Sequence, residues 1–125
     1  MELTKSITIN STQKDSMKIL IFGNGYLGRR CASVWGDEAV ITTAFVKTVD
    51  DALKEIQTHK PDAVLNAAGI KGRPNVDWCD DNQMVTIQGN TTMPLLLAEA
   101  CAKKNVYLLH MGSGCIFYGD SPHDD

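Results

Sequence analysis

One short segment limits the fold of this chain more than any other. Residues 18–22, KILIF, form a short apolar run, and Gly23-Asn24-Gly25-Tyr26-Leu27-Gly28 follows it directly. A continuous apolar run bounded by glycine suits a strand buried on both faces of a parallel sheet. Beyond the glycines, Leu27, Cys31, Val34 and Trp35 recur at helical spacing until Gly36 and Asp37 supply a stop. The unit is therefore strand, glycine turn, helix. In that context each glycine has a distinct use: Gly23 permits the tight turn, Gly25 removes a side chain so that a pyrophosphate can approach the backbone, and Gly28 lets the helix pack closely on the strand. Amides of the first helical turn, at the positive end of the helix dipole, would hold the phosphates. The competing reading is a glycine turn of purely structural use; the further parallel strands downstream favour the nucleotide.

Downstream, the same alternation continues. Residues 39–46, AVITTAFV, are β-branched and apolar and predict a second strand. Thr48 with Asp51 three residues later predicts a capped helix carrying Leu53 and Ile56 on one face, ended by Lys60-Pro61. Residues 63–67, AVLNA, predict a third strand. A Gly-, Pro- and Asn-rich loop over residues 69–75 leads to a long helical region, residues 77–104, kinked or restarted near Pro94; residues 106–111, VYLLHM, predict the last strand. The fold class is α/β: a partial Rossmann-like, doubly wound parallel sheet of about four strands, helices on both faces, expected in the order 3-2-1-4. Residues 1–16 are polar and read as an appended tail, and residues 17–125 as a single truncated NAD(P)-binding domain.

Composition closes off other classes. At 125 residues, 43% of them hydrophobic and 22% charged, the chain fits one ordinary globular domain. Its net charge of −3, with no basic run, argues against a nucleic-acid partner. No apolar stretch approaches the length of a bilayer span and no signal-peptide core is visible, so the expected compartment is the cytoplasm, without membrane contact. Cys31, Cys79, Cys101 and Cys115 include no close pair of the kind zinc or redox sites use; free thiols are the first reading and two disulfides the second. His59, His110 and His123 are scattered, and no metal site is expected.

The cofactor form stays open at this level. The second strand ends in Thr42-Thr43-Ala44 without the acidic residue that would bind the ribose 2′-hydroxyl of NAD, while Asp50 and Asp51 read as helix-start residues. The expectation is NAD or NADP, with NADPH slightly favoured; Arg29 or Arg30 would serve a 2′-phosphate if its side chain reaches back to the turn.

Asn66-Ala67-Ala68-Gly69 resembles the third-strand turn of the extended short-chain dehydrogenase/reductase superfamily. Gly72-Arg73-Pro74-Asn75-Val76-Asp77-Trp78-Cys79 and Gly114-Cys115-Ile116-Phe117 sharpen the resemblance to the 4-keto-6-deoxy sugar-nucleotide epimerase/reductases of rhamnose synthesis, namely the bacterial dTDP-4-dehydrorhamnose reductases and the reductase part of plant rhamnose synthases. It covers about residues 17–120. The resemblance implies an NAD(P)H-binding Rossmann domain beside a smaller domain that holds a nucleotide sugar. It implies that Ala67, Ala68 and Gly69 line the adenosine-ribose side of the cofactor, that Arg73 and Asn75 contact the sugar nucleotide, and that Asn90 stands behind the site. Ser113 takes the place of the hydroxyl that hydrogen-bonds the substrate carbonyl, and Cys115 that of the cysteine acid/base of related epimerase/reductases. A thiol of near-neutral pKa suits exchange of a proton made acidic by an adjacent carbonyl. On residue type alone, Ser113 reads equally as a strand-end cap and Cys115 as a small buried hydrophobe.

Two departures matter. The family usually has one more residue between its first two glycines. Its Tyr-x-x-x-Lys pair should follow the fourth strand, whereas here the last tyrosine is Tyr118 and the last lysine is Lys104. The expectation is the cofactor-binding part of a sugar-nucleotide reductase with little or no reductase activity alone. The alternative is a non-catalytic nucleotide-binding or regulatory module. An uncovered sheet edge at the fourth strand predicts self-association, or a missing C-terminal part to cover it.

Overall fold

A computed structural model describes residues 16–112. The expected tail, apart from Ser16, and the candidate residues Ser113 and Cys115 lie outside the described residues.

The sheet consists of β1 (Ile19–Phe22), β2 (Ala39–Thr42), β3 (Ala63–Asn66) and β4 (Tyr107–His110). All pairings are parallel and start flush, Ile19 lying opposite both Ala39 and Ala63, and Ala63 opposite Tyr107. Between them run α1 (Tyr26–Trp35), α2 (Val49–His59), two short helices α3 (Trp78–Asp81) and α4 (Gln83–Ile87), a π-helical turn Gln88–Thr92, and α5 (Met93–Lys104). Side chains alternate across β1, so Leu20 and Phe22 face one way and Ile19 and Ile21 the other. The first pair packs with Val64, with Ala52 and Ile56 of α2, and with Leu97, Ala100 and Cys101 of α5. The second pair packs with Leu65 and with Cys31, Ala32 and Trp35 of α1. Helices thus cover both faces, as the continuous apolar strands require.

The strand order is 2-1-3-4, not the expected 3-2-1-4. After β2 the chain turns back, passes β1 and pairs on its far side. A crossover that keeps one hand must change faces when it reverses direction. That is what α2 does: it lies beside α5, on the face opposite α1. The amphipathic pattern of α2 supplies an apolar stripe but does not say which face receives it. The reversal has a functional consequence, because the connections leaving β1 and β3 go to opposite faces and open a crevice at the carboxyl ends of those neighbours.

Three local differences have physical causes. β2 stops at Thr42 rather than residue 46. Its hydroxyl donates to Glu55 Oε1 at 2.6 Å and accepts from Ala44 N at 3.1 Å, which draws the chain off the ladder. The long helical region breaks at Asn82 (φ −131°, ψ 51°) and widens into the π-helical turn before Pro94. Proline sits in the first turn of α5, where its missing N–H costs nothing, while the wider turn makes room ahead of its ring. Helices α2 and α5 end on left-handed residues, Lys60 (φ 48°) and Asn105 (φ 55°), and the predicted stop at Lys60-Pro61 is borne out. No helix among the described residues is long and apolar enough to cross a membrane.

Candidate cofactor-binding cleft

The carboxyl ends of β1, β2 and β3 enclose a cleft of about 610 Å³. Its floor is Gly23, Asn24 and Gly25 from the β1 turn and Ala67, Ala68 and Gly69 from the β3 exit, all anticipated from sequence. The β1 turn is shaped by three glycines that do different things. Gly23 has φ +116°, and a Cβ there would stand 2.6 Å from both Ala67 C and Ala68 N. Only glycine lets the two loops touch. A Cβ on Gly28 would collide with the Gly23 carbonyl, so this buried residue lets α1 start directly above the turn. Gly25 is different: a Cβ there would meet nothing within 4 Å. Among the described residues nothing requires its bareness, and it lines the cleft.

Gly25 is also the N-cap of α1, and Arg29 N donates to its carbonyl at 3.0 Å as the first intrahelical bond. The N–H groups of Tyr26, Leu27 and Gly28 therefore have no partner within the helix. Tyr26 and Leu27 are exposed, and neither they nor the buried Gly28 line the cleft, which the turn enters only through Gly23, Asn24 and Gly25. Arg29 does reach back, its Nη1 donating to Asn24 O at 3.4 Å.

The β2 side of the cleft is built by residues 42–47, and there the structure brings in residues that sequence patterns did not single out. Among the described residues Lys47 is the one charged residue lining the cleft, and its Nζ stands 5.5 Å from the centre of the exposed Phe45 ring. The backbone of Lys47 is fixed by the capping box of α2. Asp51 Oδ2 accepts from Lys47 N at 2.9 Å and Thr48 N at 3.1 Å, while Thr48 Oγ1 accepts from Asp51 N at 3.2 Å. The Lys47 amide, with help from the Thr48 amide and hydroxyl, holds the Asp51 carboxyl below its ordinary pKa. Glu55 does come to the end of β2, but from α2, and its carboxylate binds the Thr42 hydroxyl and lies 3.6 Å from His59. The acid that the β2 sequence lacks is thus supplied from elsewhere in the fold and spent on structure.

The remaining wall comes from Ile70, Val85, Gln88, Gly89 and Met93. Asn90 locks it: its Nδ2 donates to Ile70 O at 2.7 Å and its Oδ1 accepts from Ile70 N at 2.6 Å, pairing both backbone polar groups of that residue. Gly89 is needed there because a Cβ would run into the Ile70 side chain. Arg73 and Asn75 stand outside the cleft. Arg73 is exposed, and Asn75 closes its own turn, with Oδ1 accepting from Asp77 N at 3.0 Å and O from Trp78 N at 3.2 Å. No group of three or more His, Cys, Asp or Glu among the described residues is placed to hold a metal.

A sequence profile of the NAD dependent epimerase/dehydratase family matches residues 19–125, from β1 onward. The chain belongs to that family. Two relatives of this epimerase/dehydratase chain come from Arabidopsis thaliana. It is 35% identical over 119 residues to the bifunctional dTDP-4-dehydrorhamnose 3,5-epimerase/dTDP-4-dehydrorhamnose reductase, covering 91% of this chain and 39% of that protein. It is 34% identical over 117 residues to a trifunctional UDP-glucose 4,6-dehydratase/UDP-4-keto-6-deoxy-D-glucose 3,5-epimerase/UDP-4-keto-L-rhamnose-reductase, covering 90% of this chain and 18% of that one. Among solved structures, the UDP-rhamnose synthase of Acanthamoeba polyphaga mimivirus superposes with a TM-score of 0.76 at 32% identity, over 83% of this chain and 39% of that one. The resemblance to the rhamnose-synthesis enzymes is borne out, and the chain corresponds to well under half the length of each.

Proposed function

We propose that this chain is the NAD(P)-binding part of a nucleotide-sugar reductase or epimerase/reductase acting on a 4-keto-6-deoxy sugar nucleotide, of the dTDP- or UDP-rhamnose type. The observation that carries the cofactor half of this reading is the contrast among the three glycines. Gly23 and Gly28 are demanded by protein neighbours, whereas Gly25 borders only open cleft beside the unpartnered amides of α1. That is the arrangement a pyrophosphate needs: close approach to backbone, N–H donors, and the positive end of a helix. The names of the relatives support the sugar-nucleotide half.

Within this reading the amides of residues 25–28 hold the pyrophosphate, and Ala67, Ala68 and Gly69 flank the adenosine ribose. NADPH is favoured over NADH because, among the described residues, Lys47 lines the cleft and no acidic residue does. An ammonium suits a 2′-phosphate, whereas a free 2′-hydroxyl calls for a carboxylate acceptor. When bound, the cofactor supplies a hydride to the C4 carbonyl carbon of the sugar, and a proton on the oxygen completes the alcohol. Ser113 hydrogen-bonds that carbonyl oxygen, and Cys115 removes and returns the proton on the adjacent carbon, with Arg73 and Asn75 on the sugar-nucleotide side. The free thiols Cys31, Cys79 and Cys101 suit a reducing, cytoplasmic setting.

Calorimetric titration of the 125-residue chain with NADPH and with NADH tests the reading. Saturable binding of both, tighter for NADPH, is expected; silence with both would overturn it. The competing reading is a non-catalytic nucleotide-binding or regulatory module. Supplying a keto-deoxy sugar nucleotide together with NADPH separates the two once a C-terminal reductase portion is added in trans, since only the enzyme part would then turn over.

A further inference from the structure

The exit of β3 is held by the first residue of the Asn66–Gly69 turn, together with a histidine that no sequence motif singled out. Asn66 is fully buried at the end of β3, in parallel register with His110 at the end of β4. Its side chain has two partners. Oδ1 accepts from Ala68 N at 3.1 Å, and Nδ2 lies 3.1 Å from His110 Nδ1. A backbone N–H can only donate, so the first contact fixes the amide with its oxygen toward Ala68 and its NH2 toward the imidazole. The imidazole nitrogen facing it must then accept. This geometry selects the imidazole tautomer that carries its hydrogen on Nε2.

We infer that His110 is a positioning residue for the cofactor cleft: its Nδ1 orients the Asn66 amide, which holds the Ala68 peptide in the cleft wall. Ala68 has little freedom to move without this chain of bonds failing, because its N lies in the close approach to Gly23. Both loops that form the cleft floor thereby depend on an imidazole that does not line the cleft. At the same strand end Met111 N donates to Asn66 O at 3.0 Å, and the imidazole stands beside Gly112. An apolar replacement would leave a fully buried amide NH2 without an acceptor. The amide would then rotate or tilt to find one and release the Ala68 N–H.

This inference rests on the proposed cofactor site for its consequence but not for its geometry, and two measurements keep them apart. The first is long-range nitrogen–proton NMR of the unliganded full chain, which reports the imidazole tautomer. The Nε2–H form is expected, and it should be accompanied by slow hydrogen exchange at Ala68; a predominant Nδ1–H form would overturn the inference whatever the cofactor does. The second is NADPH titration of His110→Phe and His110→Asn beside wild type, with melting temperatures recorded. Phenylalanine keeps the ring but loses the acceptor, and asparagine places its Oδ1 near the former Nδ1. A rise in Kd of about tenfold for His110→Phe, largely restored in His110→Asn, is expected. Equal Kd values for wild type and a folded His110→Phe would overturn the positioning role. If His110→Phe does not fold, His110→Asn with a wild-type Kd and a fast-exchanging Ala68 amide would do the same. Absence of NADPH binding by wild type would count against the cofactor site, leaving the tautomer and the Ala68 exchange to decide the latch.

Discussion

Three glycines within six residues of sequence separate structural need from ligand need, and they give the sharpest predictions at the scale of single residues. Gly25→Ser adds a side chain where the protein has nothing within 4 Å, and serine is a better N-cap than most residues. Thermal stability is expected to stay level or rise slightly, while NADPH affinity, read by calorimetry, falls by about tenfold or more. Gly28→Ala shows the opposite pattern. Its methyl group would enter the Gly23 carbonyl, so chemical denaturation should report a loss of about 1–3 kcal/mol, before any ligand is added. Unchanged NADPH affinity in Gly25→Ser would remove the main support for a pyrophosphate at this turn. The packing role of Gly28 was legible in the sequence because it is set by a contact within one strand-turn-helix unit, whereas Gly23 is also required by Ala67 and Ala68 across the β3 exit. Lys47 was not legible, since nothing local marks a lysine five residues beyond β2 as part of a cleft. Its place follows from Thr42 turning the chain off the sheet and from Asp51 fixing the Lys47 amide.

Among the elements, α2 shows how a local signal reaches the site. The capping box read from Thr48 and Asp51 is present, and the same carboxylate oxygen that closes it also binds Lys47 N. Thr48→Ala removes the side-chain acceptor of Asp51 N and should lower stability by about 1 kcal/mol in urea unfolding. The pH dependence has a definite sign. The Asp51 pKa is lower in the folded chain than its ordinary value of 3.8, so the ionised form is the one that folding favours. Its contribution is complete above the unfolded pKa and is lost as pH falls through the folded one. The stability advantage of wild type over Asp51→Asn should therefore hold from neutral pH to about pH 5 and shrink below pH 4 in parallel urea titrations. A gap that widens in acid would contradict the assigned hydrogen bonds. The helices α1 and α2 were legible because their starts and stops are written in glycines, a capping pair and a proline. The region before α5 was not, because Pro94 marks a kink near itself while the relief falls upstream, in the π-helical turn where Asn90 holds the Ile70 peptide.

For the molecule as a whole, the strand types and the two-sided burial follow from apolar runs, but the order 2-1-3-4 depends on which face α2 chooses, and that is settled by packing with α5 rather than by any feature of α2 itself. The order puts β4 at an edge. β1 is buried along its whole length, whereas β4 is mostly exposed, with Tyr107 at 70% and Leu109 at 49%. Both residues border an apolar groove of about 430 Å³ with Ile19, Trp35 and Leu65, on the face that α1 covers only in part. Among the described residues no strand pairs with the outer edge of β4, and an unpaired edge with an exposed apolar flank is a template for pairing with another chain. The isolated 125-residue protein is therefore expected to self-associate with rising concentration in light scattering. Leu109→Lys, which puts a charge on that flank without touching the cofactor cleft, should shift it toward monomer and leave NADPH affinity unchanged. A wild-type chain that stays monomeric across the concentration range would show that the groove and edge are too small to drive association.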